Sequence, residues 1–381
     1  MKRSTERILT THTGSLPRPD SLMRTLERVD RGELDPADGA LHAQVRDAVA
    51  EVVRNQELAG VAVVSDGEAG KIGYSTYVKE RLDGFGSEQV GIASQSPDIT
   101  DFPEFMSRAF SAVSLHMPAC EGPIGYRGAQ AVREDIDNFR AALTGAGVGV
   151  EEAFLTSASP GVIAVFLANR HYADHAGYLF ALADAMKQEY DAIHEAGFLL
   201  QLDCPDLAMA RHMLGDESLA EFRAIIEVHV EALNHATRDI PPEAMRLHLC
   251  WGNYEGPHRH DVALGDVIDI VLRARPAGIS FEGANPRHEH EWTVFEERAL
   301  PDGKVLIPGV LDSTTNYIEH PELVAQRIRR YADLVGRENV IAGSDCGFAT
   351  FANLLHIDPA ITWAKLEAMA EGARIASEAL W

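Results

Sequence analysis

An α/β fold closed as a single (β/α)8 TIM barrel is what the order of elements along this 381-residue sequence predicts. Three observations carry that prediction. Short apolar runs alternate with longer amphipathic stretches, eight such runs can be counted, and nearly every run ends in a cluster of polar residues. The strands are expected at 8–13, 61–65, 153–157, 198–202, 246–250, 278–281, 305–307 and 340–342. Helical periodicity places helices between most of them, at 41–58, 178–195, 219–236, 261–273, 321–334 and 364–380. Runs such as VAVV and FLLQL are apolar without alternation, which fits parallel strands covered on both faces. A doubly wound open sheet has the same alternation, but no GxGxxG follows the first run.

Residues 82–138 break the rhythm with Gly, Ser, Pro and aromatic residues. They read as an elaborated excursion after the second strand, a hairpin and loops over the barrel mouth. The segment is too short and too poor in apolar residues for a separate domain, so residues 1–381 are taken as one domain.

Composition narrows the function classes. An apolar content of 46% with 24% charged residues suits a chain that buries a sizeable core. A formal net charge of -24 argues against nucleic acid or an anionic membrane as partner, because both would repel it. No apolar run approaches the roughly 20 residues that span a bilayer. The basic N-terminal segment has no apolar stretch behind it, so a secretory signal is not expected and the protein is placed in the cytoplasm. The four cysteines lie far apart, which favours metal ligation or burial over disulfides. Oligomeric state is left open.

In a parallel barrel the residues just past the strand ends share one mouth. Here those positions hold His12 and Ser15, Asp66 and Glu68, Ser157 and Ser159, Asp203 and Asp206, His248 and Cys250, Glu282 and Asn285, Asp312 to Thr315, and Ser344 to Cys346. His248 and Cys250 are two apart on a strand, so their side chains share a face. Glu282 and Cys346, at the ends of later strands, complete a set of one nitrogen, two thiolates and a carboxylate, which suits zinc better than magnesium or calcium. Taken singly, each cysteine reads equally well as a small core residue and His248 as a satisfied buried histidine.

The motifs together resemble the catalytic barrel of the cobalamin-independent methionine synthase family. TTHTGSLPRP, VVSDGE, LQLDCPDLA, LHLCWGN, ISFEGANPR, IPGVLDSTTN and IAGSDCGF occur in the family's order, and the resemblance spans essentially the whole chain. It implies that His248, Cys250, Glu282 and Cys346 bind zinc; Glu282, the hard carboxylate among softer ligands, is the candidate for the ligand displaced or weakened by an incoming thiol. It implies also that Ser15, Glu68 and Asp203 bind homocysteine; by charge, the two acids suit its ammonium group, and Ser15 with nearby backbone N–H groups its carboxylate. The expected activity is transfer of a methyl or other alkyl group to a small-molecule thiol from 5-methyltetrahydrofolate or a smaller donor. Epoxyalkane–coenzyme M transferase-like chemistry is the enzymatic alternative, and a zinc-stabilised binding protein the non-enzymatic one. The sequence departs from the family after strand seven. Ser313 and Thr314 stand where a proton-delivering histidine falls, while Asp312 is retained, and Cys204 replaces an acid in DCPD. His12 is nearest the mouth among the substitute acids, which include His288, His290 and His320, so His12 and Asp312 are the catalytic candidates. The histidine pairs at 258 and 260 and at 288 and 290 are read as loop residues rather than a second metal site.

Overall fold

The computed structural model describes every residue except 90–96, 110–116, 146–148, 213–216 and 352–356. Its strands are β1 (Leu9–Thr10), β2 (Val63–Ser65), β3 (Leu82–Gln89), β4 (Pro118–Tyr126), β5 (Glu152–Ala158), β6 (Leu199–Asp203), β7 (Met245–Leu249), β8 (Gly278–Phe281), β9 (Val305–Leu311) and β10 (Ile341–Ser344). Eight of them form one parallel sheet in the order β1-β10-β9-β8-β7-β6-β5-β2. The seam between its two ends is joined by the Ala62 N–H donating to Thr10 O at 3.1 Å and the Thr11 hydroxyl donating to Val63 O at 3.0 Å. The order therefore closes into a (β/α)8 barrel, and the doubly wound alternative is excluded. Each of the eight expected strands coincides with one of these within a few residues.

Helices on the outside start at residues chosen for that task. Ser218 and Glu221 form a capping box on Leu219–Ala236. Asp38, Asp174 and Asp358 each accept a first-turn N–H, and proline opens both Pro321–Val335 and Pro359–Leu380. The main core lies between these helices and the barrel wall. Smaller clusters, Leu9 with Ala62, Val305, Ile307 and Ile341, and Val63 with Phe154 and Leu199, fill the remaining space between strands. Above them Arg246 is buried, its guanidinium 4.1 Å from the Phe154 ring centroid and donating to Thr11 Oγ1 at 2.8 Å and His12 O at 2.6 Å.

The excursion after β2 is present, and part of it lies outside the described residues. It contains the antiparallel β3–β4 ribbon and the short helices Pro97–Asp101 and Pro103–Ala109. Pro97–Asp101 docks on the loop after β7. The Tyr254 hydroxyl donates to Asp98 Oδ2 at 3.1 Å, and Arg259 and His260 meet Asp101 at 3.3 and 2.9 Å.

One close approach ties the C-terminal strands together. The Asp345 side chain, just past β10, crosses over Gly309 of β9 to reach the turn after β8. There Oδ1 accepts from the backbone N–H groups of Gly283 and Ala284, at 2.7 and 2.8 Å, and Oδ2 from that of Asn285 at 2.8 Å. A Cβ on Gly309 would lie 1.9 Å from Asp345 Oδ1 and 2.7 Å from its Cα. Gly309→Ala is therefore expected to destabilise the protein by about 2–3 kcal/mol, read from denaturant unfolding, because backbone and side chain must both yield.

Candidate metal centre

His248 sits on β7, Cys250 one residue past its end, and Cys346 two past the end of β10. Their ligand atoms all lie within 4.8 Å of one another, and all three residues are buried. The two Sγ atoms are 3.6 Å apart. Two thiolates on a tetrahedral zinc-sized ion would be separated by about 3.8 Å, given Zn–S bonds near 2.3 Å. His248 Nδ1 lies 3.2 Å from the Ser280 hydroxyl, while its Nε2 is buried without a partner. A buried nitrogen is rarely left unpaired, and a metal ion would supply the missing partner. Burial, with Arg246 adding to it, lowers the His248 pKa to about 3, so the ring is neutral as ligation requires. The Cys250 thiol is pushed well up, first by its bond to Cys346 and then by burial. These residues fit a soft or borderline divalent cation.

Glu282 is not part of that three-residue cluster. Its Oε1 accepts from the Trp251 backbone N–H at 2.8 Å and its Oε2 from Asn285 Nδ2 at 2.7 Å. It remains beside the Cys250 thiol, close enough to lower that pKa by a hydrogen bond. Burial, and then the neighbouring Cys250, hold its own pKa well above the ordinary carboxylate range.

Ser15, Glu68 and Asp203 gather around the chain that follows β1. Gly14 is so close to Glu68 that a Cβ there would lie 2.6 Å from Glu68 Oε1. That oxygen accepts from the Thr156 hydroxyl at 2.9 Å, and Oε2 is buried without a partner. Glu68 adopts a left-handed backbone, φ 55°, uncommon for a residue with a Cβ. Asp203 Oδ1 accepts from Gln201 Nε2 at 2.8 Å, and the same amide nitrogen donates to Thr13 O. Burial and then the Glu68 charge raise the Asp203 pKa to about 8. Ser15 packs on the chain after Cys346, its carbonyl accepting from the Phe348 N–H at 2.9 Å. Asp203 pairs directly with His248 across the β6–β7 ladder. The acidic pair and the metal cluster thus share one mouth.

The two catalytic candidates are placed elsewhere in function. His12 Nε2 lies 2.8 Å from Gln56 Oε1, and its Nδ1 accepts from the Gly14 N–H at 3.2 Å. Both nitrogens are occupied, and burial lowers its pKa to about 3, so it is not poised to give a proton. Asp312 Oδ1 accepts from the Thr314 N–H and hydroxyl, both at 2.8 Å, and Oδ2 from the Thr315 hydroxyl at 2.8 Å. It organises its own loop. The loop histidines His258 and His288 are buried and held by Asp261, at 3.2 and 3.0 Å, and His288 also by Glu291 at 2.7 Å. They are structural, stacked behind the site with His288 against Trp251.

Three contributors were given no role by the sequence reading, although Asn285 and Asp345 stood among its mouth positions. Asn285 and Asp345 sit beside the expected ligands, but their bonds depend on which way the turn after β8 folds. Tyr74 lies close enough to Cys250, Cys346 and Asp203 for their charges, after burial, to raise its pKa. It belongs to an irregular loop, and no strand-end rule marks it.

A parallel barrel carrying a His–Cys–Cys cluster at its strand ends defines the class: a metal-ready α/β-barrel protein. No protein-family model matches the chain. It is 25% identical over 365 residues to a methionine synthase of Thermococcus kodakarensis, covering 95% of this chain and 91% of that protein. It is also 25% identical over 403 residues to a 2-hydroxypropyl-CoM lyase of Xanthobacter autotrophicus, covering 97% and 94%. Among solved structures, a B12-independent methionine synthase from a Shewanella species, in complex with selenomethionine, superposes with a TM-score of 0.74 at 21% identity. That match covers 98% of this chain and 99% of the other and shows the shared fold. The curated proteins it resembles over nearly its whole length are thus named methionine synthase and 2-hydroxypropyl-CoM lyase, in line with the resemblance seen in its motifs.

Cobalt(II) added to the metal-free protein is expected to produce thiolate-to-metal absorption from two sulfurs. Cys250→Ser and Cys346→Ser should each remove about half of it and weaken affinity by about a hundredfold. Full absorption in either variant would rule the cluster out as the ligand set.

Proposed function

We propose that the protein transfers an alkyl group, most simply methyl, to the sulfur of homocysteine, giving methionine, with zinc as its metal. The observation that carries this reading is the convergence of His248, Cys250 and Cys346, with the unpartnered Nε2, beside the buried pair of Glu68 and Asp203. His248, Cys250 and Cys346 would hold the ion, with Glu282 the weak fourth ligand. Bound zinc supplies positive charge that keeps a thiol deprotonated at neutral pH while electron-rich ligands leave it nucleophilic.

The protein's own residues do the rest. Glu68 Oε2, unpartnered and buried, accepts from the substrate ammonium, and Asp203 shares that cation. Ser15 and the backbone around it take the substrate carboxylate. With both ends of the amino acid held, its sulfur is directed at the cluster, which converts a bimolecular encounter into an oriented one. The new S–C bond forms as the donor's bond to carbon breaks, and the leaving group takes the electron pair. At the end of β9 the hydroxyls are committed, Ser313 to Asn253 at 2.9 Å and Thr314 to Asp312 at 2.8 Å. Neither is an acid at neutral pH, which favours a small donor whose leaving group needs no proton over 5-methyltetrahydrofolate.

Alkyl transfer to a different thiol is the second reading, favoured by the similarity to the 2-hydroxypropyl-CoM lyase. The buried acids argue for an amino thiol, because coenzyme M carries a sulfonate that Glu68 and Asp203 would repel. In the third reading the barrel binds its thiol without turnover.

The test is to incubate the zinc-loaded protein with homocysteine and a panel of methyl donors and to quantify methionine by mass spectrometry. Formation that stops on metal removal and in Cys346→Ser supports the reading; turnover that persists unchanged in both sinks it. Homocysteine bound without methylation by any donor would favour the binding-protein reading. A pH dependence follows from Asp203. Protonated below about 8, it is neutral there and must lose its proton to take an ammonium ion. Calorimetry should record homocysteine binding that tightens as pH rises toward 8, by up to about tenfold per unit, with proton release. Asp203→Asn should bind more weakly and release fewer protons, keeping only the release from the thiol.

A further inference from the structure

We infer that Thr156 is a positioning residue whose hydroxyl stands between Lys71 and Glu68, occupying the lysine so that the Glu68 carboxylate stays free for the cation of an incoming substrate. The inference rests on the amino-thiol reading proposed above and extends it to two residues outside the acid pair.

Lys71 is buried three residues past Glu68. Its Nζ donates to Thr156 O at 2.7 Å and to Thr156 Oγ1 at 2.9 Å, and lies 4.4 Å from the centroid of the Tyr77 ring. Two acceptors and one ring face account for the three N–H groups of a lysine. The ring is itself held, the Tyr77 hydroxyl donating to Glu189 Oε1 at 2.5 Å. No carboxylate among the described residues forms an ion pair with Lys71, although Glu68 is one hydroxyl away. The limit is on the donor side. Glu68 has lone pairs to accept another hydrogen bond, and Lys71 has no N–H left to give.

The Thr156 hydroxyl has a single hydrogen. Lys71 can only donate to it, so that hydrogen goes to Glu68 Oε1, at 2.9 Å, while Oε2 remains buried and unpartnered. The backbone holds this arrangement from both sides. Glu68 is fixed in its left-handed conformation by its carbonyl, which accepts from the Lys71 N–H at 3.0 Å and from Arg18 Nη2 at 2.7 Å. A Cβ on Gly14 would lie 2.6 Å from Glu68 Oε1 and 2.7 Å from Thr156 Cγ2, so the chain bearing Ser15 closes on the same contact. A direct Lys71–Glu68 pair, formed in a buried place, would compete with any ammonium arriving from solvent. Valine at position 156 keeps the branched shape of threonine but offers no acceptor, which frees one Lys71 N–H for Glu68.

Crystal structures of the full chain, wild type and Thr156→Val, test the arrangement without any substrate. Lys71 Nζ should pair with Glu68 in Thr156→Val and not in wild type. A pair already present in wild type, or none in Thr156→Val, overturns the inference. Calorimetry on the zinc-loaded protein at one pH then compares homocysteine with its deamino analogue, which keeps the thiol and the carboxylate. Homocysteine should bind Thr156→Val about tenfold more weakly than wild type, and Thr156→Ser about as well as wild type. In Thr156→Val/Lys71→Met the competing cation is gone, and affinity should return to within about threefold of wild type. The deamino analogue should bind all four proteins alike, which a general loosening of the barrel would not allow. Where wild type prefers homocysteine, a Thr156→Val protein that binds it equally well, or a double variant as weak as Thr156→Val, overturns the inference. If Thr156→Val does not fold, Thr156→Ala takes its place with the same expectations. A wild type that binds homocysteine no better than the deamino analogue overturns the amino-thiol reading alone, and the two crystal structures then decide the inference by themselves.

Discussion

The carboxylate of Asp345 is the constraint from which the metal side of the mouth is built. It leaves the end of β10 beside Cys346, passes over β9 where Gly309 has no side chain, and collects N–H groups from the turn after β8. A single carboxylate thereby fixes the distance between Cys346 and the segment bearing Glu282 and Asn285. Without that span the strands on either side of β9 would hold their end residues independently. The ladder alone sets register along the strands, and it says little about loops that leave them. Here a side chain does what the ladder cannot.

Much of the barrel was legible in the sequence because burial on both faces imposes apolar runs. Such runs placed the eight strands to within a few residues, whereas periodicity alone missed the start of the last helix, which Asp358 and Pro359 set. The short helix Pro160–Phe166 was not legible, because PGVIAVF is apolar all round and carries no helical period. His248, Cys250 and Cys346 were found through the strand-end rule, joined to a family resemblance, and their side chains do converge.

The same rule overreached at His12. β1 ends at Thr10, so residues 11–13 are irregular and alternation does not decide which way a side chain turns. His12 turned toward Gln56. Asp312 was placed correctly at a strand end, but Thr314 and Thr315 are close enough in sequence to consume its oxygens, a local competition that spacing alone did not weigh. Glu282 is the subtler case. Its position in the chain was read rightly, yet its carboxylate answers to Trp251 N–H and Asn285, partners defined only once the turn after β8 has its shape.

The two halves of the mouth impose opposite electrostatic demands. Glu68 and Asp203 are unfavourable as two buried anions, and burial, then the Glu68 charge, lets Asp203 hold a proton well above its ordinary range. The metal cluster carries two potential thiolates and a nearby carboxylate, again an excess of negative charge in a buried place. Under the proposed function cations would relieve both, one as a metal ion and the other as an ammonium group. A molecule that presents an ammonium at one end and a sulfur at the other satisfies both at once. A neutral or anionic thiol would relieve only the metal side and leave the acids unpaired. The pairing of the two halves, rather than either alone, therefore restricts the chemistry of what binds.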